Sequence, residues 1–354
     1  MARTRVLVVE DSLTVRKYLV EVLSADPELE VVGEAADGVA AIALCESLRP
    51  DVITLDIVMP RLNGLETTCH VMAHCPTPIL IVSGSLNRGE AYETCEALAA
   101  GAVDVLEKPN GALASKEWER KLCAAVKLVS RIKVIRHPLG RLRAASRTPA
   151  LPNTLAPRKT PRLVALGAST GGPGVIREIL EGLDPSFSLP ILLVLHIGEP
   201  FGASFVEWLA SFSPLPVKAA TDGMLLPFSG CVIVAPPGRH LVATPEGLRL
   251  TEAPARHACR PSVDVLFESV AKTYGEGAIG CLLTGMGRDG AEGLLAIKQA
   301  GGHTIAQDEA SSVVFGMPRE AIKLGAAAVT LPPFRIAQTL QAFSIAQAPD
   351  RRFP

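Results

Sequence analysis

Several features that would place this 354-residue chain in a special class are absent from it. The formal net charge is only −1, so the composition gives no reason to expect nucleic acid or an acidic membrane surface as a partner. No apolar run reaches the roughly 18 to 20 residues that a membrane span requires. The eight cysteines form no C-x-x-C pair, which disfavours a disulfide framework or a zinc site. The N-terminus lacks a signal-peptide cleavage region, so we expect a reduced, cytoplasmic protein.

What is present fits a globular chain with two domains. Hydrophobic residues make up 48% of the sequence, and the length allows two separate cores. From the N-terminus to about residue 109, short apolar runs alternate with runs of helical spacing. This alternation predicts a parallel sheet covered by helices on both faces. Ligands of such sheets bind beyond the carboxyl ends of the strands.

Polar residues occupy these strand ends. They are Glu10, Asp11, Asp56, Ser83 and Lys108. Crowded carboxylates repel one another, and a hard cation such as Mg²⁺ would relieve the repulsion. Asp56 could then accept a phosphoryl group that Lys108 neutralises and Ser83 hydrogen-bonds. Ordinary strand-end polarity explains any one of these residues alone but not all of them together.

The same residues resemble the response-regulator receiver family over residues 3 to about 125. The matching motifs are Glu10-Asp11, Asp56-Ile57-Val58-Met59-Pro60, Asn63-Gly64, Ser83 and Lys108-Pro109. The resemblance implies a five-stranded flavodoxin-like domain that a chemotaxis histidine kinase phosphorylates at Asp56, with Ser83 and Lys108 as switch residues. The Mg²⁺ ligands that it implies are Glu10, Asp11, Asp56 and the backbone carbonyl of Val58. Receivers usually have an aromatic switch residue three positions before the lysine, where this chain has Val105.

The composition changes between about Arg131 and Arg162. Prolines accumulate, every charge is positive and the apolar periodicity disappears, as in a semi-flexible connector. A basic stretch could also contact nucleic acid or anionic lipid. We prefer a solvated hinge, because neither interleaved aromatic residues nor a DNA-reading helix accompanies the basic residues.

A glycine-rich stretch opens the second half of the chain. Residues 164–175 read VALGASTGGPGV, in which Gly167, Ser169 and Gly171 form the pattern G-x-S-x-G. An apolar run precedes the pattern and a run of helical spacing follows it. A strand, a sharp turn and a helix would expose the Ser169 hydroxyl at a sheet edge and point free N–H groups at its target. Ser169 is therefore a candidate nucleophile.

Two more residues supply what a serine nucleophile needs. The apolar run 189–195 ends at His196, and the run 278–283 leads into a turn that contains Asp289. In a parallel sheet these residues and Ser169 lie at one edge. Neutral His196 would accept the serine proton and return it to the leaving group, while Asp289 would fix the imidazole tautomer.

The glycine-rich turn has other interpretations. Its N–H groups near Gly171 and Gly172, or those near Met286, could hold an oxyanion, but the turn could equally cradle a phosphate. A dinucleotide site would prefer an acid at the end of the next strand, where this chain has His196. Asp289 alone could be a turn residue, since Asp-Gly is a strong turn signal. Together, three strand-end residues of complementary chemistry favour catalysis.

Five stretches of this second half resemble, in order, the protein-glutamate methylesterase (CheB) family of bacterial chemotaxis. They are 167–172, His196, 260–264, 283–290 and 306–318. The resemblance covers about residues 161–346. It implies hydrolysis of γ-glutamyl methyl esters on the cytoplasmic helices of methylated chemoreceptors, with release of methanol, and deamidation of receptor glutamines.

The same resemblance implies the site and its regulation. The triad would be Ser169, His196 and Asp289, with Thr170 and Met286 close to the oxyanion or the substrate. The unphosphorylated receiver would inhibit the hydrolase. Many relatives have Gln where this chain has Leu195, and His where it has Cys259. A histidine, His257, stands two residues before that cysteine.

We therefore predict a receiver over 1–125, a basic linker over 126–160, a catalytic domain over 161–346 and a tail over 347–354. The catalytic domain is expected to be a doubly wound, mostly parallel α/β sheet. The expected cofactor is Mg²⁺ in the receiver, and none is expected for the hydrolase. The protein is expected to be a monomer. We expect neither nucleic-acid binding nor membrane insertion. The alternative is a receiver fused to a nucleotide-binding or non-enzymatic signalling domain.

Overall fold

A computed structural model of the chain describes residues 2–84, 88–109, 115–132, 134, 161–226 and 230–345. The chain divides into two compact units, Met1–Ser146 and Arg147–Pro354. Each unit has its own sheet and its own hydrophobic core. Most of the predicted linker, and the tail predicted at 347–354, lie outside the described residues. Among the helices that the structure describes, none is long and apolar enough to cross a lipid bilayer.

The N-terminal unit alternates strands with helices. Its strands are β1 (Thr4–Val9), β2 (Leu29–Ala35), β3 (Val52–Leu55), β4 (Ile79–Ser83) and β5 (Asp104–Glu107). Its helices are α1 (Leu13–Ala25), α2 (Gly38–Leu48), α3 (Gly64–His74), α4 (Arg88–Ala99) and α5 (Lys116–Val129). The strands pair in parallel in the order β2-β1-β3-β4-β5, which confirms the predicted five-stranded sheet. Helix α5 ends at Val129, beyond the residue 125 at which we predicted the domain to end.

The side chains of β1 explain why this sheet is covered on both faces. Successive strand residues point to opposite faces. Val6 and Val8 pack in one core with residues of α1 and α5, whereas Leu7 and Val9 pack in another with residues of α2 and α3. All four valine and leucine side chains are buried. Because both faces are closed, the carboxyl edge of the sheet is where polar side chains collect.

The C-terminal unit contains a larger sheet and a hairpin. Its strands are β6 (Leu163–Ala168), β7 (Pro190–Leu195), β8 (Val217–Ala219), β9 (Cys231–Val234), β10 (His240–Thr244), β11 (Gly247–Thr251), β12 (Ala278–Leu282), β13 (His303–Gln307) and β14 (Val329–Leu331). Its α-helices are α6 (Gly172–Glu181), α7 (Glu199–Phe212), α8 (Val263–Tyr274), α9 (Ala291–Gln299), α10 (Met317–Lys323) and α11 (Pro333–Ile345).

Seven of these strands form one parallel sheet in the order β14-β13-β12-β6-β7-β9-β8, and β10 and β11 form an antiparallel hairpin. The predicted doubly wound, mostly parallel sheet is thereby confirmed. The chain first builds outward from β6 through β7 and later returns to pair β12 with the other side of β6. In sheets of this kind, ligands bind beyond the carboxyl ends of the strands at such a reversal, which here lies at β6 and its two neighbours.

Candidate active site

The turn between β6 and α6 needs both glycines of the G-x-S-x-G pattern. A Cβ at Gly167 would lie 2.2 Å from Val263 Cγ1, so the start of α8 packs directly on β6 at this point. Gly171 has φ +76°, and a Cβ there would lie 2.4 Å from the Cβ of Val313. A left-handed residue without a side chain is therefore required at Gly171. The two constraints place Ser169 in the turn, half-buried, directly after the strand.

His196 follows the neighbouring strand at the same level of the sheet. Ala168 is paired with Leu195, and the N–H of His196 donates to the carbonyl of Ala168 at 3.1 Å. Ser169 and His196 are thus adjacent positions on parallel strands, whose spacing is about 4.8 Å. Within the described residues, the Ser169 hydroxyl makes no hydrogen bond.

Asp289 reaches this edge from the turn after β12. Its Oδ2 lies 2.9 Å from Nε2 of His196, and the carboxylate is 2% exposed. Three groups at the start of α8 also donate to it: Ser262 Oγ at 2.7 Å, the Val263 N–H at 2.7 Å and the Asp264 N–H at 3.1 Å. A carboxylate at a helix N-terminus is stabilised by the free N–H groups. The structure thus brings Asp289 and His196 together beside Ser169.

The two members of this pair shift each other's pKa. Burial by itself would raise the pKa of Asp289, but the hydrogen bonds from His196 and Ser262 hold it below its ordinary value. Burial by itself would lower the pKa of His196, but the hydrogen bonds to Asp289 and Cys259 raise it to about 9. Asp289 is therefore ionised at neutral pH and orients the imidazole ring.

The other ring nitrogen of His196 faces a cysteine. Nδ1 lies 3.6 Å from Sγ of Cys259, which is half-buried. Since Nε2 is bonded to Asp289, Nδ1 is the nitrogen available for proton exchange. His257 does not take the place of Cys259, because its own Nε2 lies 3.2 Å from Asp264 Oδ2 and its Nδ1 accepts from Arg288 Nε at 3.2 Å.

The predicted oxyanion donors are not equivalent. The N–H of Gly172 donates to the carbonyl of Ser169 at 2.7 Å, so the expectation of a free donor at Gly172 does not hold. The N–H groups of Thr170, Gly171 and Met286 donate to no other described residue. Met286 is 46% exposed at the rim of the site. Of the four residues predicted to lie near the oxyanion, Thr170, Gly171 and Met286 therefore have a backbone N–H available for it.

Two buried polar residues that the sequence analysis did not single out support this turn. Thr284 Oγ1 lies 3.0 Å from the carbonyl of Thr170 and accepts from the Val314 N–H at 2.9 Å. Gln307 Oε1 accepts from the N–H of Thr284 at 2.7 Å. Both are fully buried at the ends of apolar strands, and that strand-end polarity is the signal that could have identified them.

A second polar site lies at the carboxyl edge of the N-terminal sheet. Lys108 Nζ lies 2.9 Å from Glu10 Oε2 and 2.8 Å from Asp56 Oδ1, and both acids are buried. Oxygen atoms of Glu10, Asp11 and Asp56 lie within 4.8 Å of one another. Burial, and then the charge of Asp56, raise the pKa of Glu10 to about 7 despite Lys108. Burial likewise raises the pKa of Asp56, with Lys108 opposing the shift.

The remaining predicted switch residue points toward α4. Ser83 Oγ donates to Glu90 Oε1 at 2.6 Å, and the N–H of Gly84 donates to the same oxygen at 2.7 Å. Val105 pairs with Ile81 on the adjacent strand. Val58 is 54% exposed and directly follows the buried residues Asp56 and Ile57 in the chain.

Comparison with known proteins decides the family. Residues 164–340 match the family model described as CheB methylesterase, and residues 6–115 match that of the response regulator receiver domain. The chain is 47% identical to protein-glutamate methylesterase/protein-glutamine glutaminase 3 of Anaeromyxobacter dehalogenans (strain 2CP-C), over 95% of this chain and 98% of that protein. The chain belongs to the CheB methylesterase family.

Further CheB relatives agree with this assignment. Protein-glutamate methylesterase/protein-glutamine glutaminase 4 of Geobacter metallireducens (strain ATCC 53774 / DSM 7210 / GS-15) is 46% identical, over 96% of this chain and 99% of that protein. The crystal structure of the Thermotoga maritima CheB methylesterase catalytic domain is 35% identical with TM-score 0.50, and the match covers 52% of this chain and 99% of that chain. Membership of the CheB family sets aside the nucleotide-binding and non-enzymatic alternatives.

Proposed function

We propose that the chain is a cytoplasmic serine hydrolase that removes methyl groups from glutamate methyl esters of chemoreceptor helices and deamidates receptor glutamines. The observation that carries the proposal is the His196–Asp289 hydrogen bond of 2.9 Å, one strand away from Ser169. The CheB family assignment and the names of the relatives support this choice of substrate. The open carboxyl edge of the sheet suits an ester carried on the surface of a helix.

The chemistry divides into two acyl-transfer steps. Ser169 Oγ attacks the ester carbonyl while Nδ1 of His196 takes its proton. Asp289 stabilises the resulting imidazolium, and the free amides of Thr170, Gly171 or Met286 hold the oxyanion. His196 then protonates the leaving methoxide, and methanol departs from an acyl-enzyme. Water attacks the acyl-enzyme in the second step, with His196 as the base again. With a glutamine substrate, ammonia leaves instead of methanol.

The N-terminal unit supplies regulation in this proposal. Asp56 accepts a phosphoryl group from a chemotaxis histidine kinase, Lys108 neutralises it, and Ser83 exchanges its hydrogen bond to Glu90 for one to the phosphoryl group. The clustered oxygens of Glu10, Asp11 and Asp56 are the hard ligands that Mg²⁺ prefers, so these residues fit the ion, together with the Val58 carbonyl. When bound, Mg²⁺ balances the negative charge of the carboxylates and the phosphoryl group. The hydrolase acts as a monomer and needs no cofactor of its own.

Asp56→Asn is expected to abolish stimulation of the esterase by a small-molecule phosphodonor, while unstimulated activity stays near that of the wild type. The amide cannot form the acyl phosphate, so the inhibited state persists. Methanol release from methylated receptor membranes, with and without acetyl phosphate and Mg²⁺, measures the effect. Asp51→Asn is the matched control, because Asp51 is an exposed acid at the opposite end of β3. Stimulation of Asp56→Asn equal to that of the wild type would refute the proposed phosphorylation site.

The esterase is also expected to be more active at alkaline pH. His196 acts as a base only when neutral, and its pKa is raised to about 9. We therefore expect kcat/KM of metal-free protein to rise about tenfold per pH unit above pH 7 and to level off near pH 9. Cys259→Ala should shift the midpoint of this pH profile to lower pH, since the thiol helps to raise the pKa of His196. Cys69→Ala, in the other unit, should leave the midpoint unchanged. A profile that is flat between pH 7 and pH 9 contradicts the assignment.

A further inference from the structure

The position of Cys259 is fixed by a tight turn. The N–H of Arg256 donates to the carbonyl of Cys259 at 3.1 Å, and the N–H of Cys259 donates back at 2.8 Å. Between them, His257 and Ala258 both have positive φ, of 52° and 61°. This conformation is strained for residues other than glycine, and the contacts of the His257 ring with Asp264 and Arg288 help to hold it. The turn therefore presents the Cys259 thiol to His196 at a set distance.

That distance matches a pair of zinc ligands. Zn²⁺ binds sulfur at about 2.3 Å and imidazole nitrogen at about 2.0 to 2.1 Å, so tetrahedral geometry separates the two donor atoms by about 3.5 Å. Cys259 Sγ and His196 Nδ1 lie 3.6 Å apart. The two atoms could thus ligate one zinc ion with little rearrangement of either side chain.

The other nitrogen of the His196 ring, Nε2, also has the hydrogen-bond partner that is usual for a zinc-ligating histidine. A histidine that ligates a metal usually donates its other N–H to a carboxylate, which fixes the tautomer and orients the ring. His196 Nε2 has this partner in Asp289, at 2.9 Å, and the buried carboxylate is held by three further donors. The tautomer that the triad requires is therefore also the tautomer that leaves a lone pair on Nδ1 for a metal.

We propose that Cys259 and His196 form a binding site for a thiophilic divalent cation of the zinc type, and that its occupation stops hydrolysis. On binding, the Cys259 thiol and, below about pH 9, the Nδ1 of His196 each release a proton to solvent as the metal bonds form, and water fills the remaining positions without any electron transfer. Metal on Nδ1 removes the only free base nitrogen of His196. The inhibitory part of this inference rests on the proposed function. The binding part does not.

Binding is tested with Co²⁺ as a spectroscopic probe on the full-length protein. A thiolate ligand gives Co²⁺ an intense near-ultraviolet charge-transfer band that oxygen ligands, such as those of the receiver, do not give. We expect this band in the wild type and in Cys69→Ser, whose cysteine is also half-buried. It should be absent from Cys259→Ser and Cys259→Ala. Circular dichroism melting curves verify that both variants are folded. Absence of the band from the wild type, or its persistence in folded Cys259→Ser, overturns the site.

Inhibition is tested with Zn²⁺ alone in the methanol-release assay, as the ratio of activity with metal to activity without. We expect Zn²⁺ to inhibit the wild type and Cys69→Ser, and Cys259→Ser to need at least about tenfold more Zn²⁺ for half-inhibition. The ratio corrects for any effect of Cys259→Ser on metal-free activity. A cobalt band without zinc inhibition would leave Cys259 standing as a metal ligand but overturn the inhibitory role. Equal zinc sensitivity of wild type and Cys259→Ser also overturns the inhibitory role.

Discussion

Ser169→Ala is expected to lower kcat for methyl-ester hydrolysis by at least about 10⁴-fold, because no acyl-enzyme can form without the hydroxyl. Binding of the receptor substrate should change little, since the Ser169 hydroxyl makes no hydrogen bond to any residue that the structure describes and its loss leaves the turn intact. The same loss is expected for glutamine deamidation, which uses the same acyl-enzyme. Methanol and ammonia release from receptor membranes are the two measurements.

The control for this variant is Ser186→Ala. Ser186 is exposed in the segment that precedes β7, at the opposite end of that strand from His196. Its activity should remain within about twofold of the wild type, as for most exposed positions away from a site. If Ser169→Ala hydrolyses receptor esters at a rate comparable with that of Ser186→Ala, Ser169 is not the nucleophile.

Asp289→Asn is expected to lower kcat by about 10⁴-fold, since an amide can turn its N–H₂ toward His196 and favour the wrong tautomer. The variant also loses the negative charge that stabilises the imidazolium. The carboxylate accepts hydrogen bonds from Ser262, Val263 and Asp264, so its replacement should also cost about 1 to 3 kcal/mol in the free energy of unfolding.

Ser262→Ala separates the catalytic loss from the structural one. It removes one donor to Asp289 and the side-chain cap of α8, so it should destabilise the fold by about 1 kcal/mol. The carboxylate and its bond to His196 remain, and kcat should fall by no more than about tenfold. Thermal melting and methanol release are measured on both variants. Equal losses of kcat in the two variants would show that Asp289 acts only by holding the local fold.

The sequence predicted those parts of the site that depend on local pattern. Strand-end placement was enough to select Ser169, His196 and Asp289, because parallel strands bring their carboxyl ends to one edge. The glycine spacing was similarly informative, since Gly167 and Gly171 each meet a steric demand of the turn. The same pattern could not show that the amide of Gly172 is already bonded to Ser169, because that bond depends on the final turn geometry.

What escaped prediction depends on contacts between distant parts of the chain. Cys259 and His196 are 63 positions apart, and only the turn at His257 and Ala258 brings the thiol to the ring. A search for C-x-x-C spacing detects ligands that are neighbours in sequence, so it is blind to a pair of this kind. The support that Gln307 gives to Thr284 likewise becomes visible only when β13 is placed beside β12.

The arrangement of β7, β6 and β12 has a consequence for divergence within the family. His196 directly follows a strand that flanks β6, so the backbone ladder sets its distance from Ser169, and donors at the start of α8 hold Asp289 in the turn after β12. Loops of the excursion from β7 to β12 that lie outside residues 256–264 can therefore change in length or shape while the reacting groups keep their alignment. Receptor preference can drift in those loops independently of the hydrolytic machinery.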